Sequence, residues 1–265
     1  MALRRGPTPW KVSLWARRGE AVGPASRALP GCLVTNDLRE ALEGAGTVVL
    51  CTSPGAIEAS GPLLADILPA ETVVTDAGSV KVRIVAGLEK SLGGRFIGAH
   101  PMAGSEQSGI SAARADLFDG APCILTPTSA SCPEALARTR QLWSEAGCRL
   151  HEISPAEHDR TVARLSHLPH AAAAALVHAA TCAGSESAWL AGSGYRDSTR
   201  IAGGPESLWA EILMDNRDAI LPAIADMQSA LEDLKSAISA GRREDVEGFL
   251  ATARRLRSPE MSSQQ

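Results

Sequence analysis

Thr72-Val73-Val74-Thr75-Asp76-Ala77-Gly78-Ser79-Val80-Lys81 decides the architecture. A short β-branched run ends in an acidic and small-residue turn, and helical periodicity then continues from Val80 to Leu92. Outward from it the same alternation recurs. Strand-like runs stand at 11–15 (KVSLW), 32–35 (CLVT), 47–51 (TVVLC), 96–100 (FIGAH), 123–126 (CILT) and 149–153 (RLHEI), with helical segments at Ile57–Leu68 and Pro133–Ala146 between some of them. Gly or Pro punctuates the junctions, as at Pro54-Gly55, Gly93-Gly94 and Gly120. Short aliphatic strands separated by helices predict an α/β domain, doubly wound, with a parallel sheet covered on both faces, over residues 1–153.

After Ile153 the strand pattern stops. Ser154-Pro155-Ala156-Glu157 joins an N-cap serine, a proline at the first helical position and a glutamate at the third, which is a helix start. Ala- and Leu-rich helix follows to Phe249, with a Gly-containing break at 192–204 and with Pro169 and Pro222 expected to start or kink helices. Residues 154–255 read as an all-helical domain of small residues suited to dimerisation, and 256–265 as a polar, disordered tail.

Composition narrows the classes. The chain has 265 residues, 45% hydrophobic and 21% charged, with a formal net charge of −4, and its basic residues are scattered. That pattern excludes global disorder and argues against nucleic acid as a partner. No apolar run has the ~18–20 residues of a membrane span, and the basic N-terminus lacks the apolar core of a signal peptide. The expected location is cytoplasmic. Cysteines at 32, 51, 123, 132, 148 and 182 match neither a disulfide framework nor a zinc site, so they read as buried or incidental thiols.

A doubly wound nucleotide-binding half opens with a strand and a G-x-G-x-x-G turn. No such motif occurs in this chain. Lys11–Trp15 reads as the second strand, which places the glycine turn at or before Met1 and the start of the chain inside the first helix, at Ala2–Gly6. A misassigned start codon or a truncation accounts for this. Arg17 and Arg18 follow that strand, where an acidic residue would accept bonds from an NAD ribose. Two guanidiniums there favour the 2′-phosphate of NADP, against the alternative of a solvated charge pair. NAD and NADP both stay open.

The candidate chemistry gathers on the strand ends. Asp76-Ala77-Gly78-Ser79 collects backbone amides and a hydroxyl at a strand C-terminus, where α/β sheets bind ligands, although Asp76 or Ser79 could simply cap the next helix. His100 ends the following strand on the same rim, and imidazole accepts protons near neutral pH. His167 and His170 stand three apart behind Ser166; His178 is too distant to complete a metal site, so no metal is expected. Arg200 lies in a loop between helices, close in sequence to Arg196 and Asp197, and Trp209 reads equally as a core residue of a helix at Glu206–Met214.

Four segments together resemble the prephenate/arogenate dehydrogenase family of tyrosine biosynthesis. They are Thr75–Lys81, His100–Gly109, Ser166–His170 and Gly194–Ala202, in the family's order and spacing, and the resemblance runs from about Ala2 to Leu250. It implies a Rossmann-like domain, here lacking its first strand, followed by a helical dimerisation domain, and hence a homodimer. It implies His100 as the catalytic base, with Ser79 bonded to that histidine and to the substrate hydroxyl. It also implies substrate contacts at Ser105, Glu106, Ser166, His167, His170, Arg200 and Trp209, and cofactor contacts at Thr52, Ser53, Pro54, Asp76, Gly78 and Met102. The implied reaction is NAD(P)-dependent oxidative decarboxylation of a small molecule, prephenate or arogenate. Two rivals stand beside it. A related 3-hydroxy acid dehydrogenase would use a lysine base in the helical part, but no lysine lies between Lys90 and Lys235. A truncated, non-catalytic paralogue acting as a dimerising partner would explain the absent glycine turn.

Overall fold

Each of the seven aliphatic runs forms a strand: β1 (Ser13–Trp15), β2 (Leu33–Thr35), β3 (Thr47–Leu50), β4 (Val73–Asp76), β5 (Phe96–Pro101), β6 (Pro122–Thr126) and β7 (Arg149–Glu152). The computed structural model describes residues 1–104, 109–182 and 190–257. The helices of the first half are α1 (Val22–Ala28), α2 (Leu38–Leu42), α3 (Pro54–Ala59), α4 (Gly61–Ile67), α5 (Val82–Leu92) and α6 (Pro133–Glu145). The segment expected as one helix over Ile57–Leu68 is two, because Pro62 lies in the first turn of α4 and the chain turns at Ser60. Ala2–Arg5 is a 3₁₀ turn.

The strands form two sheets. β1 and β2 pair in parallel by themselves, and β3-β4-β5-β6-β7 form a five-stranded sheet in that order. In the doubly wound order 3-2-1-4-5-6 the first strand lies between the second and the fourth. With β1 and β2 as the second and third strands and β3 as the fourth, the break between the sheets falls where a first strand would run.

The sheet is not wholly parallel. β6 runs antiparallel to β5, with His100 opposite Ile124, while the other pairs are parallel. The cause is the connection. Among its described residues the β5–β6 link holds only a 3₁₀ turn at Ile110–Ala112, and without a crossover helix the chain returns antiparallel.

Both faces of the larger sheet are covered, and strand alternation assigns them. Val74 and Phe96 join Ile57, Leu64, Ile84 and Leu88 in one core beneath α3, α4 and α5. Val73 and Ile97 pack with Ala135, and Ala99 and Leu125 with Leu142 and Trp143, beneath α6. Each such large side chain contributes about 1.5–3 kcal/mol by leaving water.

From Pro155 onward the described residues are helical: α7 (Pro155–Val162), a π-helical segment (Ala163–His167), α8 (Leu168–Thr181), α9 (Ser193–Thr199), α10 (Glu206–Asp215), α11 (Arg217–Ser239) and α12 (Arg243–Arg257). Ser154 caps α7 as expected, its side chain accepting from the Glu157 amide at 3.2 Å. Strands therefore give way to helices at Ile153-Ser154, whereas the chain divides into compact units later, at Asn216-Arg217. α10 belongs to the first unit because Ile212 and Trp209 join the core over α5, and Arg83 of α5 pairs with Asp215 and Glu58.

The second unit is a helical hairpin of α11 and α12, turned at Gly241, whose φ of +66° suits a residue without a side chain. Pro222 lies inside α11 rather than starting it; it is exposed, and so is Asp218, whose carbonyl loses the proline's missing N–H. Residues 258–265, most of the expected tail, lie outside the described residues. No described helix is long and apolar enough to cross a membrane.

Candidate active site

β4 delivers Asp76 into a wholly buried position. One carboxylate oxygen accepts from the Ala99 amide at 2.9 Å; the other accepts from the Gly78 amide at 2.9 Å and pairs with the buried Lys81 ammonium. This ties the end of β4 to β5 one residue before His100. A side chain at position 78 would force its neighbours to shift, since a Cβ there would lie 2.8 Å from the Ile84 Cδ1 and from an Asp76 oxygen. Both residues face inward. The expected cofactor contacts at Asp76 and Gly78 thus fall on buried residues, with the Asp76 carboxylate and the Gly78 amide engaged inside the protein.

The expected cap of α5 is corrected. Neither Asp76 nor Ser79 caps it. Asp159 of α7 does, accepting from the Lys81 amide at 2.8 Å and the Val82 amide at 2.9 Å. Ser79 is half-buried on the rim and makes no hydrogen bond to His100 among the described residues.

His100 bonds instead to a residue that sequence reasoning missed. Its Nδ1 lies 2.8 Å from the Nε2 of His158, whose Nδ1 lies 2.7 Å from an Asp159 oxygen. The three form a line from the end of β5 to the start of α5. His158 and Asp159 sit at the fourth and fifth positions of α7, just past its Ser-Pro-x-Glu start. The adjacent His-Asp pair in a first turn was the available signal. Burial, then His158, Lys81 and His167, hold the His100 imidazole well below its ordinary 6.5. Burial also lowers His158, although Asp159 opposes it.

The second cluster depends on a backbone irregularity. Pro169 has no N–H for the Leu165 carbonyl, and the helix widens into the π segment just before it. The widening leaves Leu165 outside, 74% exposed, while His167 is buried and Ser166 half-buried. The Asn216 side-chain amide donates to the Asp159 carbonyl at 2.9 Å and lies 3.0 Å from the His167 Nδ1. His170 stacks on Trp209 with ring centroids 3.5 Å apart, and His167 meets the same indole edge-on at 6.2 Å. Trp209 packs on the core, as the helical reading expected, and also meets both histidines.

The buried His167 Nε2 and His170 Nδ1 have no hydrogen-bond partner among the described residues. An amide donor at Nδ1 makes His167 Nε2 an N–H, so a buried donor stands ready for an acceptor. Burial lowers His167 to about 4 and lowers His170.

The remaining expected residues lie around these clusters. Arg200 is exposed and opens the 3₁₀ turn Arg200–Gly203 directly after α9, rather than sitting in an open loop. That turn packs on α8, and a Cβ on the neighbouring Gly204 would lie 2.6 Å from Trp209 Nε1. Thr52 and Ser53 leave β3 beside the end of β4, and Pro54 starts α3. Met102 is half-buried, its amide donating to the Pro122 carbonyl at 2.7 Å. Arg17 and Arg18 are exposed after β1, on the separate two-stranded sheet. Ser105 and Glu106 lie outside the described residues.

These histidines make stability depend on pH. Their folded-state values are depressed, so the unfolded chain binds protons that the folded chain excludes. Their contribution is complete above pH 6.5 and is lost as pH falls, at about 1.4 kcal/mol per pH unit for each such histidine. Urea unfolding between pH 7 and 5, above most carboxylate titration, should show this loss. A midpoint flat across that range would reject it.

Residues 22–152 match the prephenate dehydrogenase nucleotide-binding domain and residues 154–253 its dimerization domain. The chain is 34% identical over 236 residues to a cyclohexadienyl dehydrogenase of Zymomonas mobilis, covering 86% of this chain and 80% of that one. Its structure is similar to prephenate dehydrogenase from A. aeolicus in complex with hydroxyphenyl propionate and NAD+, with a TM-score of 0.88 and 30% identity over 97% of this chain and 91% of that one. Synechocystis arogenate dehydrogenase is also similar, with a TM-score of 0.80 and 32% identity over 97% and 92% of the two chains. With both halves matched in order, the chain belongs to the prephenate dehydrogenase family.

Proposed function

We propose that this chain catalyses the NAD(P)-dependent oxidative decarboxylation of prephenate to 4-hydroxyphenylpyruvate or of arogenate to tyrosine. The observation that carries the reading is a buried His100 kept neutral by burial and by the nearby His158, Lys81 and His167, with His167 in turn against the Trp209 indole on which His170 stacks. His100 takes the proton of the ring hydroxyl, carbon dioxide leaves and the ring becomes aromatic. The driving force lies in that aromatisation, so the protein's work is positioning. Ser79 orients the hydroxyl, the His167 Nε2–H donates to a substrate oxygen, and Ser166 and His170 line the same end. Arg200 suits the ring carboxylate through a two-pronged guanidinium contact, and Ser105 and Glu106 complete the substrate side.

A bound nicotinamide cofactor supplies the hydride acceptor. The exposed Thr52 and the half-exposed Ser53 and Met102 fit its nicotinamide half on the rim, with Pro54 shaping that edge. Arg17 and Arg18 fit the ribose end. The turn that cradles a pyrophosphate is not among these 265 residues, and the break between the two sheets falls where its strand would run. In this reading residues 1–153 hold the cofactor, and 154–255 bind substrate and pair two copies as a homodimer. The exposed Leu221, Leu231, Ile238, Leu250 and Leu256 of the helical hairpin favour such pairing. Six free cysteines accord with a reducing, cytoplasmic compartment.

The test assays the full chain with prephenate or arogenate and with NAD+ or NADP+, following reduced nicotinamide and the aromatic product. Turnover in at least one combination is expected. No turnover, in a chain that calorimetry shows to bind cofactor, would favour the non-catalytic reading. Changing Arg17 and Arg18 together to Ala should weaken NADP over NAD by roughly tenfold or more, as lost charge-assisted contacts do. An unchanged preference would leave both as surface charge.

A further inference from the structure

We propose that Asp159 and His158 are positioning residues that lock His100 in its Nδ1–H form, so that Nε2 presents the lone pair. The inference rests on the reading of His100 as the base, and it deepens that reading.

The order of protons follows from one end of the line. The Asp159 carboxylate already accepts the Lys81 and Val82 amides, and as an ionised carboxylate it can only accept. His158 Nδ1, 2.7 Å away, must therefore carry a hydrogen. A neutral His158 then has a lone pair on Nε2, which His100 Nδ1 meets at 2.8 Å, so His100 Nδ1 must donate. The neutral His100 is left with its acceptor on Nε2. Without the carboxylate the two imidazoles could bond equally well the other way round, with His158 Nε2 donating, and His100 would then carry its proton on the wrong nitrogen. Asp159 breaks that symmetry.

The neighbours reinforce the neutral state. Lys81 and His167 face His100 together with His158, and a second proton on the ring meets burial as well as the Lys81 charge. Among the described residues Asp159 and Asp76 are the acidic groups facing the pair, and Asp76 is already matched by Lys81. When His100 takes the substrate proton, the imidazolium is stabilised through His158 toward Asp159. The carboxylate thus supports the charged ring without touching substrate.

Nitrogen-15 spectra of the histidine rings in the full-length chain report the form directly, with neither substrate nor cofactor. His100 should show a protonated Nδ1 and a bare Nε2. Asp159→Asn should populate the reverse form and lower kcat by about 10²-fold or more with little change in KM. His158→Phe should lose the bias, and His158→Gln, whose amide oxygen can accept from His100 Nδ1, should restore it. A protonated Nε2 in the unaltered chain overturns the proposal whether or not the variants fold, as does an Asp159→Asn chain that keeps the Nδ1–H form. The two readings fail separately. A protonated Nε2 alongside full turnover sinks the relay alone, and the expected spectrum without turnover sinks the dehydrogenase reading alone.

Discussion

His100→Asn is expected to lower kcat by about 10²–10⁴-fold and to leave KM within a few-fold, the span that general base catalysis supplies. Asparagine keeps a polar side chain at the end of β5 and its amide can still donate to His158, so the local fold has no cause to collapse. It cannot accept a proton at neutral pH. Arg200→Ala should behave oppositely and raise KM, because a carboxylate contact acts in the ground state as well as the transition state. The pH profile adds a constraint. Activity needs the neutral ring, so the rate falls as pH falls through the His100 value. Burial and the Lys81 charge press that value well below 6.5, and the acid limb should therefore lie below the ordinary histidine range. His100→Asn should lose the limb. An unchanged kcat in His100→Asn, or an acid limb above pH 6.5, would remove His100 from the role of base.

Much of this was legible in the chain, for local reasons. β-branched runs of four or five residues bounded by Gly and Pro specify strands almost unaided, and all seven formed. The Ser154 cap is equally local. What escaped depends on distance. β6 reverses because its incoming connection has no crossover helix among its described residues, and strand composition does not record direction. The α5 cap comes from Asp159, 78 residues beyond Lys81, and no local signal shows that the Asp76-to-Ser79 turn leaves those amides to another element. His100 was found by its place after a strand, whereas its partner His158 was not, because a histidine in a helix's first turn usually faces solvent. Trp209 was ambiguous for a physical reason: the indole packs on the core and also stacks on His170.

The largest stability effect should come from Asp76→Ala, which removes the partner of a wholly buried lysine. Breaking a buried ion pair from one side costs about 3–5 kcal/mol, since the remaining charge stays out of water. That is a large part of the ~5–15 kcal/mol holding a typical domain. The Gly78 and Ala99 amides lose their acceptor at the same time. Lys81→Met should cost less, because the Asp76 carboxylate keeps both amides and the methionine fills most of the vacated volume. The order of the two variants therefore tests what Asp76 does. If it only neutralised Lys81, the two changes would cost about the same. If it also pins Ala99 beside His100, Asp76→Ala should be the worse by about 1–3 kcal/mol, the desolvation cost of a buried group left unpaired. It should also slow catalysis in whatever fraction stays folded. Urea denaturation of both variants measures the difference. Equal costs, or an Asp76→Ala cost below about 1 kcal/mol, would show that the buried pair does not hold β5, and so His100, at the rim.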